Sequence, residues 1–164
     1  MKTIEIRAAA ARDFEQICAL NRAVALHTST MDGPRLVELH ALCCYHKVGM
    51  VDGSVAAFLL AMRSDAPYQN ENFAWFERRY KRFIYVDRVV VSGNHRGLRL
   101  GSLLYEDLFQ HARTEGISLV TCEFNTVPPN EPSRAFHAKF GFTEQGRRWL
   151  ADGTKQVSMQ AVKI

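Results

Sequence analysis

Residues 83–102 read FIYVDRVVVSGNHRGLRLGS, and this stretch decides the fold. Phe83 to Val91 is rich in β-branched and aromatic residues with a near-continuous apolar end, the mark of a strand covered on both faces. That predicts a central strand. Asn94 to Ser102 then carries Gly97 and Gly101 among Arg96 and Arg99, and leads into a helix from Gly101 to about Glu115 with Leu104, Leu108 and Ala112 on one side. A strand-to-helix turn of this kind offers free backbone N–H groups, the positive end of a helix dipole and glycines that permit close approach, which together suit an anion such as phosphate. Neither Gly-Lys-Ser/Thr nor Gly-x-Gly-x-x-Gly occurs in it, so Walker and dinucleotide loops are excluded. Gly116 stops the helix, and Leu119 to Asn125 reads as a second strand. A strand-helix-strand crossover makes the strands ending at Val91 and Asn125 parallel.

On the N-terminal side, Ile4 to Arg7 alternates as a short strand, and a helix is predicted over about 12–26 with Phe14, Ile17, Cys18 and Val24 along one side. After a polar interruption at 28–33, Pro34 opens a second helix through Leu36, Leu39, Leu42 and Cys43. Lys47 to Val51, Asp52-Gly53 and Ser54 to Arg63 read as strand, tight turn, strand. The connection 64–82 holds Tyr68, Phe73, Trp75, Phe76 and Tyr80, too aromatic for a solvated loop. It is either an amphipathic helix capping the core through Phe73, Phe76 and Tyr80, or a lid over a substrate. On the C-terminal side 126–132 breaks the chain, Ser133 to Phe140 is a short helix ending at Gly141, and Asp152-Gly153 joins two last strands. These elements make one α+β domain, 1–164, with a mixed sheet.

Composition supports a folded chain. Of 164 residues 47% are hydrophobic and 23% charged, which excludes disordered and fibrous classes. No apolar run approaches the ~20 residues of a membrane span. Cys18, Cys43, Cys44 and Cys122 have no C-x-x-C spacing, and with no secretory signal a cytoplasmic location is expected. The net charge of +4 points to an anionic ligand: nucleic acid, a membrane surface or a phosphorylated small molecule. Arg78 to Arg82 (RRYKR) and Arg147-Arg148 read as a solvated basic face without a nucleic-acid reader motif. His40, His46, His95 and His111 have no metal-ligand spacing, so no metal is expected.

Three features together resemble the GNAT acetyltransferase superfamily over essentially the whole chain. Val91 precedes a loop of the form Arg/Gln-x-x-Gly-x-Gly/Ala, aligned on Arg96, Gly97, Leu98, Arg99, Leu100 and Gly101. Asn130, Ser133, His137 and Gly141-Phe142 fall on a second pattern, Asn-x-x-Ala, an aromatic four residues later, then Gly-Phe. The order of elements is the third. The resemblance implies α/β/α layers and a mixed, mostly antiparallel sheet splayed between two central parallel strands. It further implies an acetyl-CoA-dependent N-acetyltransferase in which a primary amine, on a small molecule or a protein N-terminus, attacks directly in a ternary complex. The alternative is an acyl-CoA-binding module with weak or no catalysis. Acetyl-CoA is expected along Val89, Val90 and Val91 and beside Asn125, Asn130, Ser133, Phe136 and His137. Its diphosphate is expected on the amides from Arg96 to Ser102.

Two positions depart from the pattern. Arg99 replaces the second loop glycine, at a cost of about 1 to 2 kcal/mol if φ there is positive, although its guanidinium could bond the diphosphate. His137 replaces a tyrosine that, in the family, protonates the departing thiolate. A histidine can supply that proton, or can simply be a helix-face residue bonded to backbone. The oxyanion is expected on backbone N–H near Val89. Strand alternation puts Tyr85, Asp87, Val89 and Val91 on one face, Arg88 and Val90 on the other, and Thr121, Glu123 and Asn125 together. Asp87 and Glu123 are therefore strand carboxylates that are either paired with a cation such as Arg88 or kept for a cationic substrate. The resemblance places the acceptor pocket between the first helices and the loop before the central strand, nominating Asn21, His27, Asp32, Trp75 and Tyr85. The edge of the last hairpin makes a homodimer an expectation.

Overall fold

The computed structural model describes all residues, 1–164. The chain forms β1 (Ile4–Ala8), α1 (Phe14–Ala23), α2 (Gly33–Leu42), β2 (Tyr45–Val51), β3 (Ser54–Arg63), α3 (Glu71–Glu77), β4 (Ile84–Val91), α4 (Leu100–Thr114), β5 (Leu119–Val127), α5 (Glu131–Lys139), β6 (Thr143–Trp149) and β7 (Gln156–Lys163). The sheet order is β1-β2-β3-β4-β5-β7-β6, with β4 in the middle. Every pairing is antiparallel except β4 with β5.

Alternation along the strands sends side chains to two cores. One face packs Phe58, Tyr85 and Met159 under Ile17 of α1, Leu36 and Leu39 of α2, and Phe73 and Phe76 of α3. The other packs Ala57, Leu59, Ile84 and Val120 under Leu104, Tyr105, Leu108 and Ala112 of α4. Asp52 and Gly53 take positive φ, 49° and 83°, to close the β2–β3 hairpin, as two-residue turns require.

Several boundaries differ from the sequence reading. α1 ends at Ala23 and leaves Leu26 exposed, because the polar segment before α2 already turns away. α5 starts at Glu131, where Asn130 caps it by accepting the Ser133 N–H at 3.4 Å. Asp152-Gly153 lies inside the longer connection 150–155 rather than forming a two-residue turn. The aromatic connection 64–82 takes the helix alternative: α3 buries Phe73, Trp75 and Phe76, and Asn70 caps it by accepting the N–H groups of Asn72 and Phe73 at 2.9 and 3.0 Å.

Candidate functional site

β4 and β5 are paired only at Ile84–Val120 and Tyr85–Thr121. Beyond that, β4 continues along β3 and β5 along β7, so the two strands diverge and the sheet opens between Asp87–Val91 and Glu123–Val127. A bulge sharpens the opening. Ala61 faces Val86 and Leu60 faces Arg88, which leaves Asp87 as an extra residue. Alternation fails there. Tyr85 and Val90 lie in the core under α1 to α3, whereas Val89 and Val91 pack on the α4 side. The expectation that Val89 and Val91 share a face with Tyr85 and Asp87 is thus corrected; one inserted residue reverses every side chain after it.

At the throat of the opening lie two carboxylates. Asp87 takes the paired alternative: Oδ2 accepts from Arg88 Nε at 2.7 Å and Oδ1 from Tyr68 Oη at 2.5 Å. Arg88 is itself buried and donates to Asn21 Oδ1, the Ser29 carbonyl and Ser29 Oγ at 3.2, 3.0 and 2.9 Å. A buried ion pair satisfied on all sides is a structural anchor, since removing either partner strands the other charge.

Glu123 is different. Tyr85 Oη and Asn72 Nδ2 donate to Oε1 at 2.8 and 3.0 Å, while Oε2 is shut off from solvent with no hydrogen-bond partner. Burial pushes this carboxyl up to about 8; the bonds from Tyr85 and Asn72 and the charge of Arg88 oppose the rise, and Asp87 adds to it. A carboxyl with one free oxygen and a value near neutrality is suited to proton transfer. Asn72 is fixed from behind by Arg148, whose Nη1 donates to Asn72 Oδ1 and whose Nη2 donates to Glu71 Oε2, both at 2.5 Å. Tyr68, Asn72 and Arg148 were not among the sequence candidates; no local motif marks them, and Arg148 is not the freely solvated cation expected there.

Of the nominated acceptor residues, all but His27 have structural partners. Asn21 Nδ2 donates to the Ser29 carbonyl at 3.0 Å, and Asp32 caps α2 through the Arg35 N–H at 2.8 Å. Trp75 packs against Gly146, and the Arg79 guanidinium lies 3.4 Å from its ring centroid, so no open aromatic face remains there for a cation. His27 is exposed, and Tyr85 is spent on Glu123.

His137 has the arrangement of its structural alternative. It is 3% exposed. Nδ1 lies 2.7 Å from the Ser133 carbonyl, which can only accept, so Nδ1 carries the proton; Nε2 then accepts from Tyr105 Oη at 2.8 Å. The ring stacks on Phe124 and meets Phe136 and Phe142 edge-on. Burial lowers its proton affinity. With both nitrogens bonded, it takes the structural alternative and has no proton free for a thiolate.

The loop after β4 fits an anion. Gly97 has φ 85° with open space around it, and Arg96 is exposed. Arg99 has φ 58° and ψ 21° at the start of α4, where no side chain caps the helix and no acidic residue occupies the first turn. The Arg99 guanidinium rests 3.1 Å from Glu106 and is 71% exposed, so it can turn to a ligand. Gly101 also has a packing role. It is buried, and a Cβ there would come within 3.2 Å of the Phe136 ring, so its small size serves the seat of α5 on α4. Asn125 is buried beside the opening, and its carbonyl accepts from Asn130 N at 3.0 Å. No group of three or more His, Cys, Asp or Glu is arranged to hold a metal, and no helix is long and apolar enough to cross a membrane.

Known proteins share this fold. Residues 14–142 match the sequence model of the Acetyltransferase (GNAT) family. No curated protein matches the chain. Ard1 from Thermoplasma volcanium is similar in structure, with a TM-score of 0.80 at 18% identity, covering 98% of this chain and 97% of that one. So is yncA from Salmonella typhimurium, solved with acetyl-CoA (0.71, 20%, covering 98% and 94%). Arabidopsis thaliana Naa50, solved with the bisubstrate analogue CoA-Ac-MVNAL, also aligns (0.74, 12%, covering 98% and 99%).

Proposed function

The chain belongs to the acetyltransferase (GNAT) family, and from that premise we propose that it transfers an acetyl group from acetyl-CoA to a primary amine that enters the throat between β4 and β5 and loses its proton to Glu123. One observation carries this reading: Glu123 Oε2, buried, unpartnered and next to the point where the strands part.

When bound, acetyl-CoA would supply the activated thioester: the amine nitrogen bonds the acetyl carbon, the C–S bond breaks, and CoA leaves as a thiolate that takes its proton from solvent. The uncapped start of α4 and the open backbone at Gly97 support a diphosphate on the amides from Arg96 to Ser102, with Arg99 able to leave Glu106 for it. Val89, Val90 and Val91 would line one side of the donor, and Asn125, Asn130, Ser133 and Phe136 the other. Backbone N–H near Val89 keeps the oxyanion role.

An amine must be neutral before it attacks. An ordinary ammonium of pKa about 10 is poorly matched to an ordinary carboxylate near 4, so a carboxyl raised to about 8 narrows that gap. Asp87, neutralised by Arg88, holds the throat and keeps the proton-accepting role on Glu123.

Thiol release from acetyl-CoA, followed from pH 6 to 9 with a polyamine, an amino-acid amide and short peptides with free N-termini, tests the assignment. Turnover on at least one amine should rise through pH 8, and Glu123→Gln should cut it about 100-fold or more while acetyl-CoA still binds. Undiminished turnover in Glu123→Gln removes it as the base. Tight acetyl-CoA binding with no turnover on any amine supports the binding-module alternative.

A further inference from the structure

We propose that Asn72 and Arg148 are positioning residues for the transfer reaction, acting in series: Arg148 on β6 orients and polarises the Asn72 amide, and Asn72 in turn holds Glu123 with one oxygen bonded and the other free for the acceptor amine. The inference rests on the reading of Glu123 as the base.

The series is built into how α3 meets β6. On β6, Gly146 and Arg148 are two residues apart and share a face. On α3, Glu71 and Trp75 are four apart and share a face. The Trp75 indole sits on Gly146, where even a Cβ would fall 2.8 Å from Cζ2, and this close seat brings Arg148 against Glu71 and Asn72. The planar fork of arginine then fixes two acceptors at once, the Asn72 amide oxygen and the Glu71 carboxylate.

Arginine can only donate, so it decides which way the amide points. Asn72 Oδ1 must face Arg148, and Nδ2 must therefore face Glu123. The Asn72 backbone has little freedom, because the Asn70 cap holds its N–H at 2.9 Å. A cation on the amide oxygen also makes its N–H a stronger donor. With Asn72 and Tyr85 both on Oε1, Oε2 is left without a bond. The other charged or titratable groups around Glu123 are Tyr85, Asp87 and Arg88 from β4, with Tyr68 bonded behind Asp87, and Cys122 of β5 and Tyr105 of α4, which feel its charge from the other side of the sheet. None of these touches Arg148, whose route to Glu123 in the hydrogen-bond network runs through Asn72.

The test is a double-mutant cycle read on the full chain. Carbon-13 NMR of glutamate-labelled protein follows the Glu123 carboxyl, identified by the signal lost in Glu123→Gln. Asn72→Ala should raise its titration midpoint by about one pH unit, as expected when a carboxylate loses one hydrogen bond. Arg148→Met should raise it by less, Arg148→Lys should restore part of the shift, and Arg148→Met should add nothing once Asn72 is alanine. With any amine that turns over, the pH profile of kcat should move in the same direction while KM for acetyl-CoA stays put. An equal effect of Arg148→Met with and without Asn72 would mean a through-space charge and overturn the series, as would no shift in either single variant. Should Arg148→Met fold poorly, Arg148→Gln keeps a donor without the charge and takes its place in the cycle. If Glu123→Gln retains turnover while the cycle holds, the base assignment falls and the Arg148–Asn72–Glu123 series stands.

Discussion

Arg99 carries a conformation that its side chain disfavours. With φ 58° at the start of α4, it sits where glycine would be free of steric cost, and only a salt bridge to Glu106, both groups being largely exposed, holds its head. Arg99→Gly should therefore leave stability unchanged or raise it by about 1 kcal/mol, read as the midpoint of thermal unfolding. If the guanidinium turns to the diphosphate, the same variant should weaken acetyl-CoA binding about tenfold in calorimetry. Unaltered affinity would mean that Glu106 is its only partner. The positive φ was anticipated from a residue standing where a loop glycine is expected. The role of Gly101 was not, because the Phe136 ring that meets it belongs to an element more than thirty residues later.

At the scale of elements, α3 and β6 are joined by one tight contact. Gly146→Ala would put a methyl group 2.8 Å from a rigid indole whose neighbour Arg79 lies over the ring, so neither group can yield easily. We expect a loss of about 1 to 3 kcal/mol in denaturant unfolding. We also expect reduced turnover, since Arg148 lies on the same face of β6 and would be displaced from Asn72. Full activity in a destabilised Gly146→Ala would separate packing from catalysis. α3 itself was legible as an aromatic helix, but its task was not: the apolar spacing says which side is buried, and says nothing of which strand lies beneath.

The whole molecule should show an uneven response to pH, set by three buried groups, the histidines His46 and His137 with one sign and Glu123 with the other. His46 is bonded to His40, Nδ1 to Nδ1 at 2.7 Å, and its Nε2 is buried without a partner. Burial, with the neighbouring His40, lowers it from 6.5 to about 4. The fold keeps it neutral while the unfolded chain protonates, so stability is lost as pH falls from 6.5 through 4. Glu123 is raised from 4.5 to about 8, so the fold keeps it protonated while the unfolded chain ionises, and stability is lost as pH rises from 4.5 through 8. Between 4.5 and 6.5 the slopes of His46 and Glu123 cancel, and His137, whose proton affinity burial also lowers, leaves a net rise of stability with pH. Thermal unfolding should show that rise ending near 6.5 and a decline from 6.5 to 8 of about 1.4 kcal/mol per pH unit. Glu123→Gln should remove the alkaline decline, and a decline that persists would mean that Glu123 ionises in the fold at an ordinary pH.

The sequence by itself determined the order of elements, the central strand, the parallel crossover and the phosphate-suited loop. All of these rest on local signals: apolar period, turn residues, and glycines next to cations. It also put Glu123 on one face of β5 with Thr121 and Asn125, because alternation along an unbroken strand is a local rule. Tertiary structure alone decided the rest. The bulge at Asp87 is invisible to a period of two, yet it turns Val89 and Val91 to the opposite core. Arg88 closes on Asp87 only because Asn21 and Ser29 arrive from α1 and the loop after it, and the nitrogens of His137 are taken by Tyr105 and Ser133. What leaves Glu123 with one free oxygen is that Tyr85 and Asn72, the latter 51 residues away, both bond the other, with Asn72 held in turn by Arg148, 76 residues from it in the chain. Spacing in sequence carries no record of such partners, because packing two cores against a split sheet brings them together.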